Sequence, residues 1–205
     1  MNSNLPNGYS LQGKYRVISP KMNRIVFWGS ILLWIPFGWL FLHMNSLIRP
    51  EFDGFEFIRR LTFESSYIVR TQVLGIALIA ILLYGFIHEV VHGIFFRVFS
   101  HRRPNFGFKI NPYTTLALGA FISRNQAIMA ALSPLLIITL LGLIIWPFVP
   151  VTALPIVLLI LSVNIASSIC DLIQSGWLLH YSTNVMYGFD GRDSVVHGPI
   201  DIENK

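Results

Sequence analysis

Cysteine is nearly missing from this chain. The single one, Cys170, excludes an intrachain disulfide. Charge is scarce as well, at 12% of residues, about half of the roughly 25% usual in soluble domains. With 54% hydrophobic residues and a mean hydropathy of +0.61, there is too little polar surface to keep the chain in water. No internal repeat and no low-complexity segment appears, and no short apolar core ends in a small-residue cleavage site. The first apolar stretch is therefore expected to be retained. The net charge of +5 is spread along the chain and gathers only at the ends of apolar segments. That distribution fits membrane topology signals and argues against nucleic acid as a partner.

What is present reads as an all-α membrane protein of one domain with about four transmembrane helices. The expected spans are residues 25–48, 72–96, 124–147 and about 155–181, each near the roughly 20 residues a helix needs to cross hydrocarbon. Residues 24–182 form the expected membrane core. Residues 1–23 and 183–205 read as polar N- and C-terminal tails. Ser123-Arg124-Asn125-Gln126 fits a capping box at the start of the third span. Bases lie before the first span (Lys14, Arg16, Lys21, Arg24) and between the second and third (Arg97, Arg102, Arg103, Lys109). Both termini are thus expected in the cytoplasm of an integral membrane protein.

Two connecting segments carry structure of their own. Residues 50–70 hold Phe52, Phe55, Phe57, Phe63 and Tyr67 among balanced charges, the pattern of an element lying at the interface. Residues 106–120 alternate around Asn111-Pro112, which predicts a short membrane-associated β-hairpin between helices 2 and 3.

Against this apolar background two acids stand out. Glu89 is the one formal charge in residues 71–96, and Asp171 the one in residues 125–189. An ionised carboxylate in a bilayer interior costs at least about 2.5 kcal/mol, so each needs a compensating partner. Glu89 lies within His88-Glu89-Val90-Val91-His92. On a helix, His88 and His92 share a face and can both point at one ion about 2 Å away. Glu89 is turned away from that face but can reach a water beside the ion, the arrangement in which it serves as general base.

Such a site needs a third protein ligand, and Asp171 is the remaining acid at membrane depth. Measured along their helices from the outer boundary, His88 and Asp171 lie roughly 27 Å and 24 Å in, at 1.5 Å per residue. Asp171 also sits on a polar stripe with Asn164, Ser167 or Ser168, and Gln174 or Ser175. Asn164 and Ser167 are candidates for supporting the ligands or contacting substrate, or for simple helix-to-helix hydrogen bonding. His43, His101 and His180 read as interfacial and His197 as part of the polar tail.

His88-Glu89-Val90-Val91-His92-Gly93 in one span, with Asn164 and Asp171 in a later one, resembles the site-2 protease clan of intramembrane metallopeptidases. The stretch from Gly75 to Gly198, with Phe106-Gly107-Phe108 and Leu132-Ser133-Pro134, more closely resembles a family of small bacterial and archaeal zincin-like proteins. The resemblance implies a prokaryotic cell membrane, Zn2+ as cofactor, His88, His92 and Asp171 as its ligands, and Glu89 as catalytic base. It also implies a membrane protein or peptide as substrate. Leu172 after Asp171, and the lack of proline between Asn164 and Asp171, depart from the clan's pattern. The function expected is a zinc-dependent endopeptidase cutting within or beside the membrane. The alternatives are a non-catalytic zincin-like binding protein, a divalent-metal transporter, or a haem protein using His180.

Overall fold

The computed structural model describes residues 5–16, 19–103, 120–190 and 193–200. Four helical segments of 25 to 34 residues are long and apolar enough to cross a membrane. Helix α1 spans Pro20–Ile48, α2 Gly54–Phe63, α3 Tyr67–Ser100 and α4 Arg124–Ile145. A 3₁₀ turn, Trp146–Phe148, extends α4. A second, Val151–Ala153, leads into α5 (Leu154–Ser167) and α6 (Ile169–Leu178). Trp28, Leu32 and Ile35 of α1, and Leu74, Leu78 and Leu82 of α3, are exposed. So continuous an apolar surface is a liability in water and is at home in lipid, where helices satisfy their own backbone.

The all-α expectation needs correcting, because a small antiparallel sheet accompanies the helices. Strands β1 (Tyr9–Tyr15), β2 (Phe121–Ser123), β3 (Met186–Phe189) and β4 (Ser194–Pro199) lie in the order β1-β4-β3-β2. Register runs from Tyr9 opposite Pro199 to Tyr15 opposite Ser194, with an irregularity between Leu11 and Gly13. The segments expected to be polar tails therefore supply three of the four strands among the described residues. The expected hairpin at 106–120 falls, apart from Ala120, outside the described residues.

The chain divides into two compact units, one of residues 1–26, 89–133 and 170–205, the other of residues 27–88 and 134–169. The first contains the sheet and a core of Phe96, Ile122, Leu178, Val185, Tyr187 and Val196. Tyr15 stacks on Trp177 at 5.2 Å between ring centres. Gly188 pairs with Phe121 across the sheet, and a Cβ there would lie 2.7 Å from the Phe121 ring and 3.1 Å from the Ala120 carbonyl. The expected capping box is present at the start of α4. The Ser123 amide donates to Gln126 Oε1 at 3.0 Å, and the Gln126 amide donates to Ser123 Oγ at 3.4 Å.

The second unit is cored by Phe41, Trp146, Leu154, Leu158 and Leu161. Fully buried Asn45 donates to the Phe52 carbonyl at 2.7 Å and accepts from Trp146 Nε1 at 3.0 Å. Arg49 donates to the carbonyls of Trp146, Pro147 and Val149 at 3.0–3.2 Å, satisfying acceptors that the end of the helical segment leaves open. The aromatic segment between the first two spans contains α2, whose N-cap Asp53 accepts from the amides of Phe55 and Glu56.

The fourth span is not the continuous helix expected. It breaks at Ser168, between α5 and α6. The Ser168 hydroxyl donates to the Asn164 carbonyl at 2.7 Å, and Ser167 Oγ lies 3.2 Å from the same oxygen. Such back-bonding competes with the helical ladder and bends or interrupts it.

Candidate metal centre

Helix α3 carries His88, Glu89 and His92, the two imidazoles one turn apart on one face. The break at Ser168 starts a new helix two residues before Asp171, which places that acid in the first turn of α6. The helix dipole favours a negative charge in a first turn. His92 Nε2 lies 3.4 Å from Asp171 Oδ1, and each side chain is 17% exposed. His88 is buried. One ligand atom from each of His88, His92 and Asp171 falls within 4.8 Å of the others.

The hydrogen bonds fix which nitrogen of His92 faces this group. His92 Nδ1 is 2.8 Å from the Ala130 carbonyl. A carbonyl can only accept, so Nδ1 carries the proton and Nε2 of the neutral ring presents a lone pair. That carbonyl is free to accept because Pro134, four residues on, has no N–H to donate back to it. The hydroxyl of Ser133 shares the same acceptor at 2.9 Å. The Leu132-Ser133-Pro134 motif thus has a local role, opening a backbone acceptor beside His92.

A lone pair on Nε2 and a carboxylate oxygen 3.4 Å away repel unless a metal ion or a proton lies between them. Two ligands about 2.05 Å from one tetrahedral ion stand about 3.3 Å apart. The observed separation matches that edge, and two imidazoles with one carboxylate are a donor set that zinc accepts. The residues present fit the ion.

His88 is held differently. Its Nδ1 is 3.0 Å from the Tyr84 hydroxyl, which also lies 3.0 Å from Asn164 Oδ1 and 2.5 Å from Ser167 Oγ. Asn164, fully buried, donates through Nδ2 to the Leu135 carbonyl at 3.2 Å and to Thr139 Oγ1 at 2.9 Å. The polar stripe expected along one helix face is therefore divided by the break. Asn164 and Ser167 meet Tyr84, whereas Gln174 donates to the Tyr187 hydroxyl at 3.0 Å. Tyr84 and the Ala130 carbonyl escaped the sequence reading. The available signal for Tyr84 was its place one turn before His88 on the same helix.

The other histidines stand apart from this group. His180 is exposed, with Nδ1 2.8 Å from the Gly176 carbonyl. His43 stacks on Trp39 at 5.3 Å. His101 is exposed just past the end of α3 with a positive φ of 56°. His197, expected in a polar tail, belongs to β4 and meets the edge of Phe121 at 5.3 Å.

Residues 71–186 match a family described as "Putative zincin peptidase". No curated protein matches the chain, and no solved structure does.

Proposed function

The chain belongs to this zincin-type family, and from that premise we propose that it is a zinc-dependent endopeptidase cutting a membrane protein or peptide within or beside the bilayer. The observation that carries the reading is the convergence of His88, His92 and Asp171, with a 3.4 Å nitrogen-to-oxygen edge of the length that two ligands of one zinc ion share. The site-2 protease clan is the proposed wider kinship, resting on the same residues and on four helices able to span a membrane.

In the mechanism, His88, His92 and Asp171 would hold the ion. Bound zinc supplies a Lewis acid for the scissile carbonyl and makes water a stronger acid near neutral pH. Glu89 lies one position past His88 on α3, off the face that the imidazoles share. Its carboxylate takes a proton from the attacking water and passes it to the leaving amine nitrogen. Asp171 contributes negative charge at a helix start, which lowers the cost of keeping it at membrane depth. Ala130, through its carbonyl, orients His92.

We further propose that both termini face the cytoplasm. Lys14, Arg16, Arg97, Arg102, Arg103 and Arg124 all belong to the unit that contains the sheet. The pairing of β1 with β4 and the four candidate spans among the described residues support placing both termini on one side.

The test is cleavage of a synthetic transmembrane peptide by the purified protein in lipid nanodiscs. Wild type should cleave with zinc and stop when a chelator removes it. The variant Glu89→Gln should retain zinc and lose cleavage by about 10²-fold or more. Undiminished cleavage by Glu89→Gln would discard the general-base role. Zinc flux across vesicles without any proteolysis would favour a transporter instead.

A further inference from the structure

One phenol proton decides how His88 can serve a metal. Tyr84 Oη lies within hydrogen-bond distance of His88 Nδ1, Asn164 Oδ1 and Ser167 Oγ, yet it has one hydrogen to donate. The orientation of Asn164 settles where that hydrogen goes. Its amide nitrogen must face the Leu135 carbonyl, which can only accept, and this turns Oδ1 toward Tyr84. Oδ1 cannot donate either, so a 3.0 Å contact with a phenol oxygen requires the phenol to donate. Toward His88 Nδ1 and Ser167 Oγ, Tyr84 is left to accept. His88 Nδ1 must then carry a proton, and in the neutral ring Nε2 is left with the lone pair.

We propose that Tyr84, polarised by Asn164, is a positioning residue that locks His88 in the Nδ1–H tautomer and so makes Nε2 its metal-binding atom. The inference deepens the metalloenzyme reading and rests on it for its purpose, though the tautomer itself is a property of the metal-free chain. The opposite polarity would let Tyr84 donate to Nδ1, put the ring proton on Nε2, and block the ligand. Asn164 thus acts on a metal ligand it does not touch. Partners that orient ligating histidines commonly change metal affinity by about 10- to 100-fold when removed.

The experiment uses the full chain in nanodiscs with ¹⁵N-labelled histidine. Nitrogen shifts read the His88 tautomer without metal, and zinc titration reads affinity. Wild type should show Nδ1 protonated. In Asn164→Leu the phenol proton is released toward His88, so the ring should switch to Nε2–H and zinc binding should weaken by about 10- to 100-fold. In Tyr84→Phe the ring should populate both tautomers, with a similar weakening. Asn164→Asp retains an acceptor for Tyr84 and should restore the wild-type tautomer. The double variant Tyr84→Phe/Asn164→Leu should bind zinc no more weakly than Tyr84→Phe alone, since both act through one hydrogen bond. If Asn164→Leu does not fold, Tyr84→Phe decides the matter by its tautomer. An unchanged His88 tautomer in the folded variants, or zinc affinity within about twofold of wild type, overturns the proposal. A wild type that takes up no zinc but shows the expected tautomers refutes the metal reading and leaves this hydrogen-bond assignment standing.

Discussion

Ala130 accepts two side-chain hydrogen bonds because Pro134 withholds the backbone one, and this gives proline a testable part in the metal centre. Pro134→Ala restores an N–H to the helix interior, where proline costs about 3 kcal/mol relative to alanine. The variant should be as stable as wild type or more so in thermal unfolding. Its new amide competes with His92 for the Ala130 carbonyl, so zinc affinity should fall. A stabilised variant with unchanged affinity would show that His92 does not need that acceptor. Asn45 offers a contrast with no link to chemistry. Asn45→Ala leaves Trp146 Nε1, in a fully buried side chain, without its partner, and should cost about 1–3 kcal/mol in a denaturant titration. At this scale the sequence was most legible where polarity was least expected. Glu89 and Asp171 stood out because nothing around them in the sequence was charged. Tyr84 did not, because an aromatic in an apolar run looks like packing until its hydroxyl is placed in space.

Among the elements, the long apolar helices were readable from composition, and the start of α4 from the reciprocal Ser123 and Gln126 pattern. The break at Ser168 was not, because serines within an apolar helix are equally compatible with an unbroken ladder. It takes the hydroxyl contacts to the Asn164 carbonyl to show the interruption. Strands β1, β3 and β4 were missed for a related reason. The partner of β1 lies up to 190 residues away, Tyr9 against Pro199, whereas β3 and β4 pair locally, Phe189 against Ser194, in strands of four and six residues too short to carry a clear period of their own. Helix α2 gives a prediction at this scale. Glu56 accepts from Arg59 and Arg60, which hold its carboxyl down at about 2. A lowered carboxyl pKa contributes stability above the unfolded value of 4.5, and that contribution fades as pH falls toward 2. The ordering of α2, followed by amide exchange, should loosen across that window, and a Glu56→Gln variant should show no such step. A loss of protection in the variant identical to that of wild type would remove the ion pairs from the account.

For the whole molecule, the sheet unit ties the two ends of the chain together and should respond to alkali as a unit. Burial pushes the hydroxyls of Tyr15 and Tyr187 up to about 12. A raised folded pKa means that the stability is fully present below the unfolded value of 10 and is lost as pH rises toward 12. Tyrosinate absorbance should therefore show late-ionising residues whose appearance coincides with loss of sheet signal, and Tyr187→Phe should remove one of them. Ionisation of all tyrosines near pH 10 with the fold intact would contradict the burial. Both termini are proposed to face the cytoplasm. Tags at both ends should be accessible from the cytoplasmic side alone, and access to either one from outside would overturn it.

The central claim is that His88, His92 and Asp171 hold one metal ion, and zinc analysis of the purified protein tests it most directly. Wild type should carry one zinc per chain, Asp171→Ala should carry almost none, and His180→Ala should match wild type. Zinc retained in full by Asp171→Ala, with its fold intact, would contradict the account.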